Sequence, residues 1–566
     1  MHGPGPFPPA RGAPNGDTAA KGPETMAHWD DGYVSDVTYT SGYHNETPPV
    51  WLATAAALSG FTAPDLTQPF RYADLGCGNG VTALVVAATM PHAEVWACDF
   101  NPAHVENGRD IARRAGLTNI RFEEASFEDL TRLPADALPM FDYVVAHGIL
   151  SWISRENRRH LLTVIGQRLA PGGIVYMSYN VGTGWTGMRP VRTLMRLLTA
   201  ASPERTDLAA AGAFETLDKM KDSGAAMFHA HPALNARLAL FRDNDHRYVA
   251  HELLNRDWHP VMFQTVAPAM AAIKCGHIGN ASLQDNLENL TIPVQMREMF
   301  TRVRDPRLRE TIRDIAGAIG FRRDLYQRGP RRMNPAGHER QVNAITLIST
   351  FRPIPETITA ATSLGQLEIK EPRYRALLDL LSKHPLTIGE IRALEIFSGH
   401  DDPELFQTLV LLLAGGFVAP LLPGTPTSAA RAATARLNRV HAELFELGHD
   451  LPLVAYPALG AAWNTNPLEI MALDALLSGH AAEEQSLTET VMARMRRSGR
   501  TLNQNGQPVT DPAALRGNVT NAIQEMLRER LPMMRRLGAL SPAAASVGTE
   551  GARTGGARTG GDEAAR

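Results

Sequence analysis

The chain has 566 residues, enough for several domains, and its 56 Lys and Arg against 59 Asp and Glu leave a formal charge of −3, which excludes a globally basic nucleic-acid binder. Three cysteines, Cys77, Cys98 and Cys275, contain no CxxC pair, which argues against a disulfide framework or a structural zinc site. The N-terminus lacks the apolar stretch of a signal peptide, and the longest apolar run, LVLLLAGGFVAPLLP, is broken by Gly415, Gly416 and Pro420, so a soluble cytoplasmic protein without membrane insertion is expected.

Residues 1–25 are rich in Pro, Gly and Ala and read as a disordered tail. From 26 to 189, strands alternate with helices. RYADLG reads as a strand, followed by a glycine loop and an apolar helix from Val81 to Thr89. AEVWACDF is a second strand, after which Asn101 caps a helix with Pro102 at its first position. NIRFEEASF and FDYVVAHG are the third and fourth strands. A helix from Arg155 to Leu169 stops at Pro-Gly-Gly, and IVYMSYN is the fifth strand. Such alternation predicts a parallel sheet covered on both faces.

The stretch 190–335 is helix-rich, but its CGHIGNAS and FRRDLYQRG segments read as strands suited to complete the same sheet. In 336–429, Thr387-Ile-Gly-Glu390 is a capping box opening one helix, and the helix ending in LVLLLAGG and the following FVAPL resemble a winged helix. A helical segment, 430–542, and a doubled ARTGG in a second disordered tail, 543–566, end the chain. The fold class is α/β: a Rossmann-like sheet with mainly helical accessory domains, one of them winged-helix-like.

The chemistry is concentrated in Asp74-Leu-Gly-Cys-Gly-Asn-Gly80, directly after a strand and before a helix. Glycines there let backbone N–H groups approach a ligand at a helix N-terminus. A dinucleotide fingerprint counted from Gly76 needs Gly or Ala where Val81 stands, and no Walker A motif is present. Asp74 would repel a pyrophosphate but attract the ammonium of an amino-acid-bearing cofactor. S-adenosylmethionine (SAM) has that ammonium, a carboxylate, a ribose and an adenine. Asp99, at the end of the second strand, can accept both ribose hydroxyls.

These motifs resemble class I SAM-dependent methyltransferases. DLGCGNG matches the family's first motif and CDF its ribose-binding motif, while EASFED falls where the family contacts adenine. The resemblance implies cofactor contacts from Asp74, Gly76, Cys77, Gly78, Asn79 and Gly80, from Asp99 and Phe100, from Ser126 and Phe127, and from His147 and Gly148. Position 126 departs from the family in having Ser where Asp is usual. A narrower resemblance, carried by VAHGILSWIS, SYNVGTGW, RYVAHELLN and FRRDLYQRG, points to methyltransferases with an appended regulatory domain. They include rickettsial-type enzymes acting on lysines of outer-membrane proteins. VTYTSGYHNETPPVWL is similar to their segment that closes over the cofactor. The loop before Trp185 is Gly182-Thr183-Gly184, where that group has a proline.

Methyl transfer from a sulfonium is an in-line displacement, so donor and nucleophile must be aligned and water excluded. Tyr39, Tyr43, His147, Trp152, Tyr179, Asn180 and Trp185 are the expected acceptor-side residues, with His147 or Tyr179 relaying a proton from a lysine acceptor. His251 and Trp258 are expected to pack the regulatory domain against the sheet, with a place in the substrate cleft as the other reading. The favoured reaction is methylation of a protein lysine, with a cell-envelope protein as one candidate substrate, a homodimer as one candidate assembly, S-adenosylhomocysteine as product and no metal. Methylation of a small molecule and a non-catalytic SAM-binding regulator stay open.

Overall fold

The computed structural model describes residues 33, 34, 36, 42–134, 136–242, 244–350, 354–399, 402–449, 451–504 and 507–540. Both expected tails and Tyr39 lie outside the described residues. At the centre is a seven-stranded sheet: β1 (Arg71–Leu75), β2 (Glu94–Asp99), β3 (Ile120–Glu124), β4 (Phe141–Ala146), β5 (Leu169–Asn180), β6 (Cys275–Asn280) and β7 (Phe321–Arg328), in the order β3-β2-β1-β4-β5-β7-β6. The first five strands pair in parallel, and β7 inserts antiparallel between β5 and β6. The chain order reverses between β1 and β4, and open α/β sheets bind ligands outside the strand ends at such a point.

Helices α1 (Pro49–Leu58), α2 (Val81–Thr89), α3 (Pro102–Arg114), α4 (Phe127–Arg132) and α5 (Arg155–Arg168) belong to this half. Every residue of α2 is buried, which a helix on a sheet surface achieves only when its outer side is also covered. The cover is the helix Ser428–Glu446, whose Thr434 hydroxyl donates to the Ala88 carbonyl at 3.3 Å. Arg436 Nε donates to the Ala115 carbonyl at 2.7 Å beside it, and Arg114 pairs with Glu443 at 2.6 Å. By contrast α3 keeps a polar face, and Asn101 caps it by accepting from Ala103 N at 2.9 Å.

Between β5 and β6 lie α6 (Gly182–Trp185), α7 (Met188–Ala200), α8 (Thr206–Asp222), α9 (Ala226–Ala230), α10 (Pro232–Arg242), α11 (His246–Leu253) and α12 (Phe263–Ala272). Their apolar residues form a separate core around Trp185, Phe214, Phe241 and Trp258. This insertion roofs the end of the sheet, and the chain then returns as β6 and β7. The β5–β7 ladder runs from Ile174↔Gln327 to Asn180↔Phe321, so the sheet is completed by a later segment of the chain.

A buried ion cluster locks that closure. Arg322 on β7 donates to Asp324 at 2.8 Å, to Asp314 at 2.6 Å and to Glu310 at 2.8 Å, the last two on the helix Pro306–Ala316. Burial would raise the Asp324 carboxyl, but Arg322 overrides it and holds the group well below its usual range.

Beyond residue 336, a three-stranded sheet joins Leu386–Thr387, Thr346–Ser349 and Val418–Pro420 around helices, with Thr387 and Glu390 forming a capping box. The C-terminal helices and the hairpin Leu453–Tyr456/Ala461–Asn464 share one further core. Among the described residues no helix is long and apolar enough to cross a membrane.

Candidate active site

A cavity of about 1200 Å³ opens at the C-terminal edge of the sheet, between the strand ends and the helical roof. Its floor starts at Asp74, the buried penultimate residue of β1. The Asp74 carboxyl is pushed up to about 7, first by burial and then by the neighbouring Asp99. The glycine loop follows with Gly76, Gly78 and Gly80 all at positive φ (73°, 55° and 68°), a region that glycine enters without strain.

Sequence reading assigns this loop's N–H groups to a ligand, but those of Gly76, Cys77 and Gly78 are engaged within the protein. Gly76 N and Cys77 N both donate to the Cys98 carbonyl, at 2.8 and 2.9 Å, and Gly78 N donates to Asp99 Oδ2 at 2.8 Å. The loop is therefore stapled to the end of β2. What it offers the cavity is open space: a Cβ at Gly78 would meet nothing within 4 Å, so the cavity reaches the backbone itself. Gly80 is set back from the cavity, where a Cβ would strike the Phe122 ring at 2.4 Å. Cys77 and Asn79 line the cavity with Gly76 and Gly78.

Asp99 is positioned from three sides, by Gly78 N, by Asn101 N at 2.9 Å and by His104 Nδ1 at 3.3 Å. Phe100 lies beside it, and Tyr33 meets the Phe100 ring edge-on at 5.8 Å. Ser126 and Phe127 line the next part of the wall. The Ser126 hydroxyl caps α4 by accepting from Asp129 N at 3.1 Å, with Asp129 answering on Ser126 N, so this pair has a structural role as well.

The other half of the cavity is built from β4, β5 and the roof. His147 Nδ1 lies 2.9 Å from the Tyr176 hydroxyl, and its ring stacks on His44 at 3.5 Å. Burial, then His44 and Arg323, hold its pKa well below the ordinary histidine value, so His147 is neutral and a weak base. Gly148 N donates to the Ser178 hydroxyl at 2.8 Å. Asn180 Nδ2 donates to Glu252 of α11 at 3.1 Å, and Trp152 Nε1 donates to the Glu252 carbonyl at 3.4 Å. Trp185 Nε1 donates to the Gly320 carbonyl at 2.8 Å, and the Arg237 guanidinium sits 4.4 Å above the indole.

Two expected acceptor-side residues do not reach this cavity. Tyr43 packs in the core, where its hydroxyl accepts from Ala462 N at 2.9 Å, so it contacts the C-terminal region instead. Tyr179 is fully buried on the opposite face of β5, donating to Asp324 Oδ2 at 2.5 Å. Strand side chains alternate faces, so Tyr176, Ser178 and Asn180 point one way and Tyr179 the other. We therefore expect Tyr179→Phe to lower stability by about 1–3 kcal/mol without changing donor affinity, read by denaturant unfolding and calorimetry.

The family described as "Methyltransferase domain" matches residues 73–173, and "Predicted methyltransferase regulatory domain" matches 245–328. The chain is a class I SAM-dependent methyltransferase. It is similar to an uncharacterized protein of Synechocystis sp., 29% identical over 512 residues, covering 90% of this chain and 99% of that protein. It is similar in structure to PKMT2 of Rickettsia typhi, at TM-scores of 0.65 and, in complex with AdoHcy, 0.66. These structures are 21% and 19% identical and cover 87% of this chain and 98% and 99% of theirs. A trans-aconitate 2-methyltransferase of Methylobacterium nodulans is 31% identical over 153 residues, 27% of this chain and about half, 52%, of that protein.

The methyltransferase's residues fit SAM. Asp74 and Asp99 form a buried like-charged pair whose repulsion an ammonium would relieve, and Gly78 leaves room that any side chain would fill. His251 lines the cavity and approaches Tyr33 at 5.3 Å, whereas Trp258 packs edge-on against Trp185 at 5.4 Å. Thus the two take opposite roles, one at the cleft and one in the roof's core. Sequence reading missed His44, Arg237, Glu252 and Arg323 on the cavity wall. A Glu amid the apolar residues of RYVAHELLN was the available signal for one of them.

Proposed function

We propose that the methyltransferase acts on a protein lysine side chain. The observation that carries this reading is the acceptor half of the cavity, which the Trp152 and Trp185 indoles line together with the buried carboxyl of Glu252. An aromatic and acidic wall suits an alkylammonium group, through cation–π contact and charge pairing. The similarity to PKMT2, a protein lysine methyltransferase, supports the reading because it extends over the accessory regions as well as the core.

SAM, when bound, supplies an electrophilic methyl group on a sulfonium. Asp74 would pair with its ammonium, and the tethered Asp99 would accept from its ribose. Asp74, Gly76, Cys77, Gly78 and Asn79 would hold its amino-acid side, Ser126 and Phe127 its adenine side, and His147 and Gly148 would stand toward the methyl. Trp152, Asn180 and Trp185 orient the acceptor and exclude water.

Incubating the enzyme with labelled SAM and a cell-envelope protein fraction, followed by peptide mass spectrometry, should reveal methylated lysines. Label confined to small molecules would overturn the lysine reading. It would favour a carboxylic-acid acceptor, for which Arg237 and Arg323 on the cavity wall are the supporting feature. Trp185→Ala is expected to cut transfer at least tenfold while SAM affinity changes by less than about threefold, since the indole wall stands on the acceptor side. Lost packing should also cost about 3–5 kcal/mol of stability in the roof.

A further inference from the structure

We propose that the Glu252 carboxylate is the acceptor-side base, receiving the proton of an acceptor ammonium and so freeing its nitrogen for methyl transfer. The inference rests on an amine acceptor, as read above. Geometry singles out this residue. Glu252 lies on α11 in the roof, lines the same cavity as Asp74, and is oriented by Asn180 Nδ2 at 3.1 Å from the end of β5. Its own backbone carbonyl is tied to Trp152, which fixes the helix against the strand ends.

The alternatives are engaged elsewhere. Tyr179 points to the opposite face and donates to Asp324. His147 is paired with Tyr176 and stacked on His44, and its pKa lies well below the ordinary histidine value. Asp257 also lines the cavity, but it pairs with His259 at 3.0 Å and Arg256 at 3.4 Å. Glu124 and Asp129 lie on the Ser126 side, and Asp74 and Asp99 serve the donor.

Asn180 from β5 and Arg237 from α10 act on Glu252, while Tyr248 and His251 of its own helix line the same cavity. Burial pushes the Glu252 carboxyl up to about 7, against the Asn180 hydrogen bond and Arg237, which lower it. A base near neutrality is matched to its task at working pH.

The step balances. The ammonium proton moves to the Glu252 carboxylate. The freed nitrogen lone pair then forms the N–CH3 bond as the C–S bond breaks, and its electron pair goes to sulfur. The acceptor is left as a methylated ammonium and S-adenosylhomocysteine is released. Glu252 then loses its proton to solvent.

Glu252→Gln keeps an oxygen for Asn180 and removes the base. Single-turnover transfer from a preformed SAM complex to lysines of the envelope protein fraction should fall at least 100-fold. In the wild type the rate should rise through pH about 7, whereas in the variant the rise should move toward pH 10, where a free lysine deprotonates. Glu252→Asp should recover part of the rate. SAM affinity should stay within about twofold, which separates this effect from misfolding. A second arm needs no identified acceptor: n-butylammonium should bind the wild-type S-adenosylhomocysteine complex at least tenfold more tightly than the Gln variant. If the wild type labels no lysine, the lysine reading fails, and the butylammonium arm alone decides Glu252. Equal butylammonium binding by both proteins, or none by either, or an unchanged pH profile in the variant, overturns the proposal.

Discussion

Asp74→Asn is expected to weaken SAM binding roughly 30- to 150-fold, equivalent to about 2–3 kcal/mol, while making the SAM-free protein more stable. The opposite signs follow from one fact. Asp74 is buried beside Asp99, and its carboxyl is raised to about 7 by burial and by that neighbour. Without SAM the ionised form is disfavoured. The folded protein therefore binds this proton more tightly than the unfolded chain, and the carboxyl costs stability as pH rises from about 4 through 7. The cost is complete above pH 7 and absent below about 4. Asparagine removes it, for a gain of order 2 kcal/mol at pH 8. With SAM present the same charge pairs with the ammonium. Wild-type affinity should therefore fall by up to tenfold per pH unit below about 7, as the carboxyl must first lose its proton. Calorimetric titration from pH 5.5 to 8.5 and unfolding of the SAM-free protein read the two effects separately. An Asn variant that binds SAM like the wild type would remove Asp74 from the donor site.

Arg322→Ala is expected to cost at least about 3–5 kcal/mol of stability and to lower the soluble yield. The guanidinium is buried and serves three carboxylates at 2.6–2.8 Å. Removing it leaves Asp324 and Asp314 with their charge inside the protein. Tyr179 and Tyr326 still donate to Asp324, at 2.5 and 3.2 Å, but neither neutralises it. Asp314 is already raised to about 6 by burial even with Arg322 beside it, so the variant should recover part of its deficit as pH falls from 8 toward 5. Urea unfolding midpoints at the two pH values test this. A deficit that grows at low pH would mean that lost packing, rather than uncompensated charge, is the cause. Because β7 lies between β5 and β6, the same change should loosen the strand that presents Asn180 and so reduce transfer.

The donor half of the site was legible because its signals are local. A strand, a glycine turn and a helix follow one another without a gap, so Asp74 and the loop are positioned by residues next to them in the chain. The same holds for the capping of α3 by Asn101 and for the Thr387 box, where partners stand two or three residues apart. Residues of the acceptor half come from distant parts of the chain. Asn180 and Glu252 are 72 residues apart, and Tyr43 and Ala462 are 419 apart. No spacing rule connects such pairs. Tyr179 shows a smaller failure: period-2 alternation along β5 places it opposite Ser178 and Asn180, and a composition-based reading of SYN passes over that alternation.

By itself, the sequence determined the class of the sheet, the donor motif and SAM as the methyl source, since alternating periodicity and the turn chemistry of DLGCGNG act over a few residues. Only the tertiary structure decided which strand ends face the cavity, that β7 inserts antiparallel between β5 and β6, and that the amides of Gly76, Cys77 and Gly78 are spent on Cys98 and Asp99. It also decided that Glu252 stands at the acceptor side. Those outcomes depend on burial and on hydrogen-bond partners brought together by folding, and a carboxyl's protonation is set by that environment and not by its place in the chain.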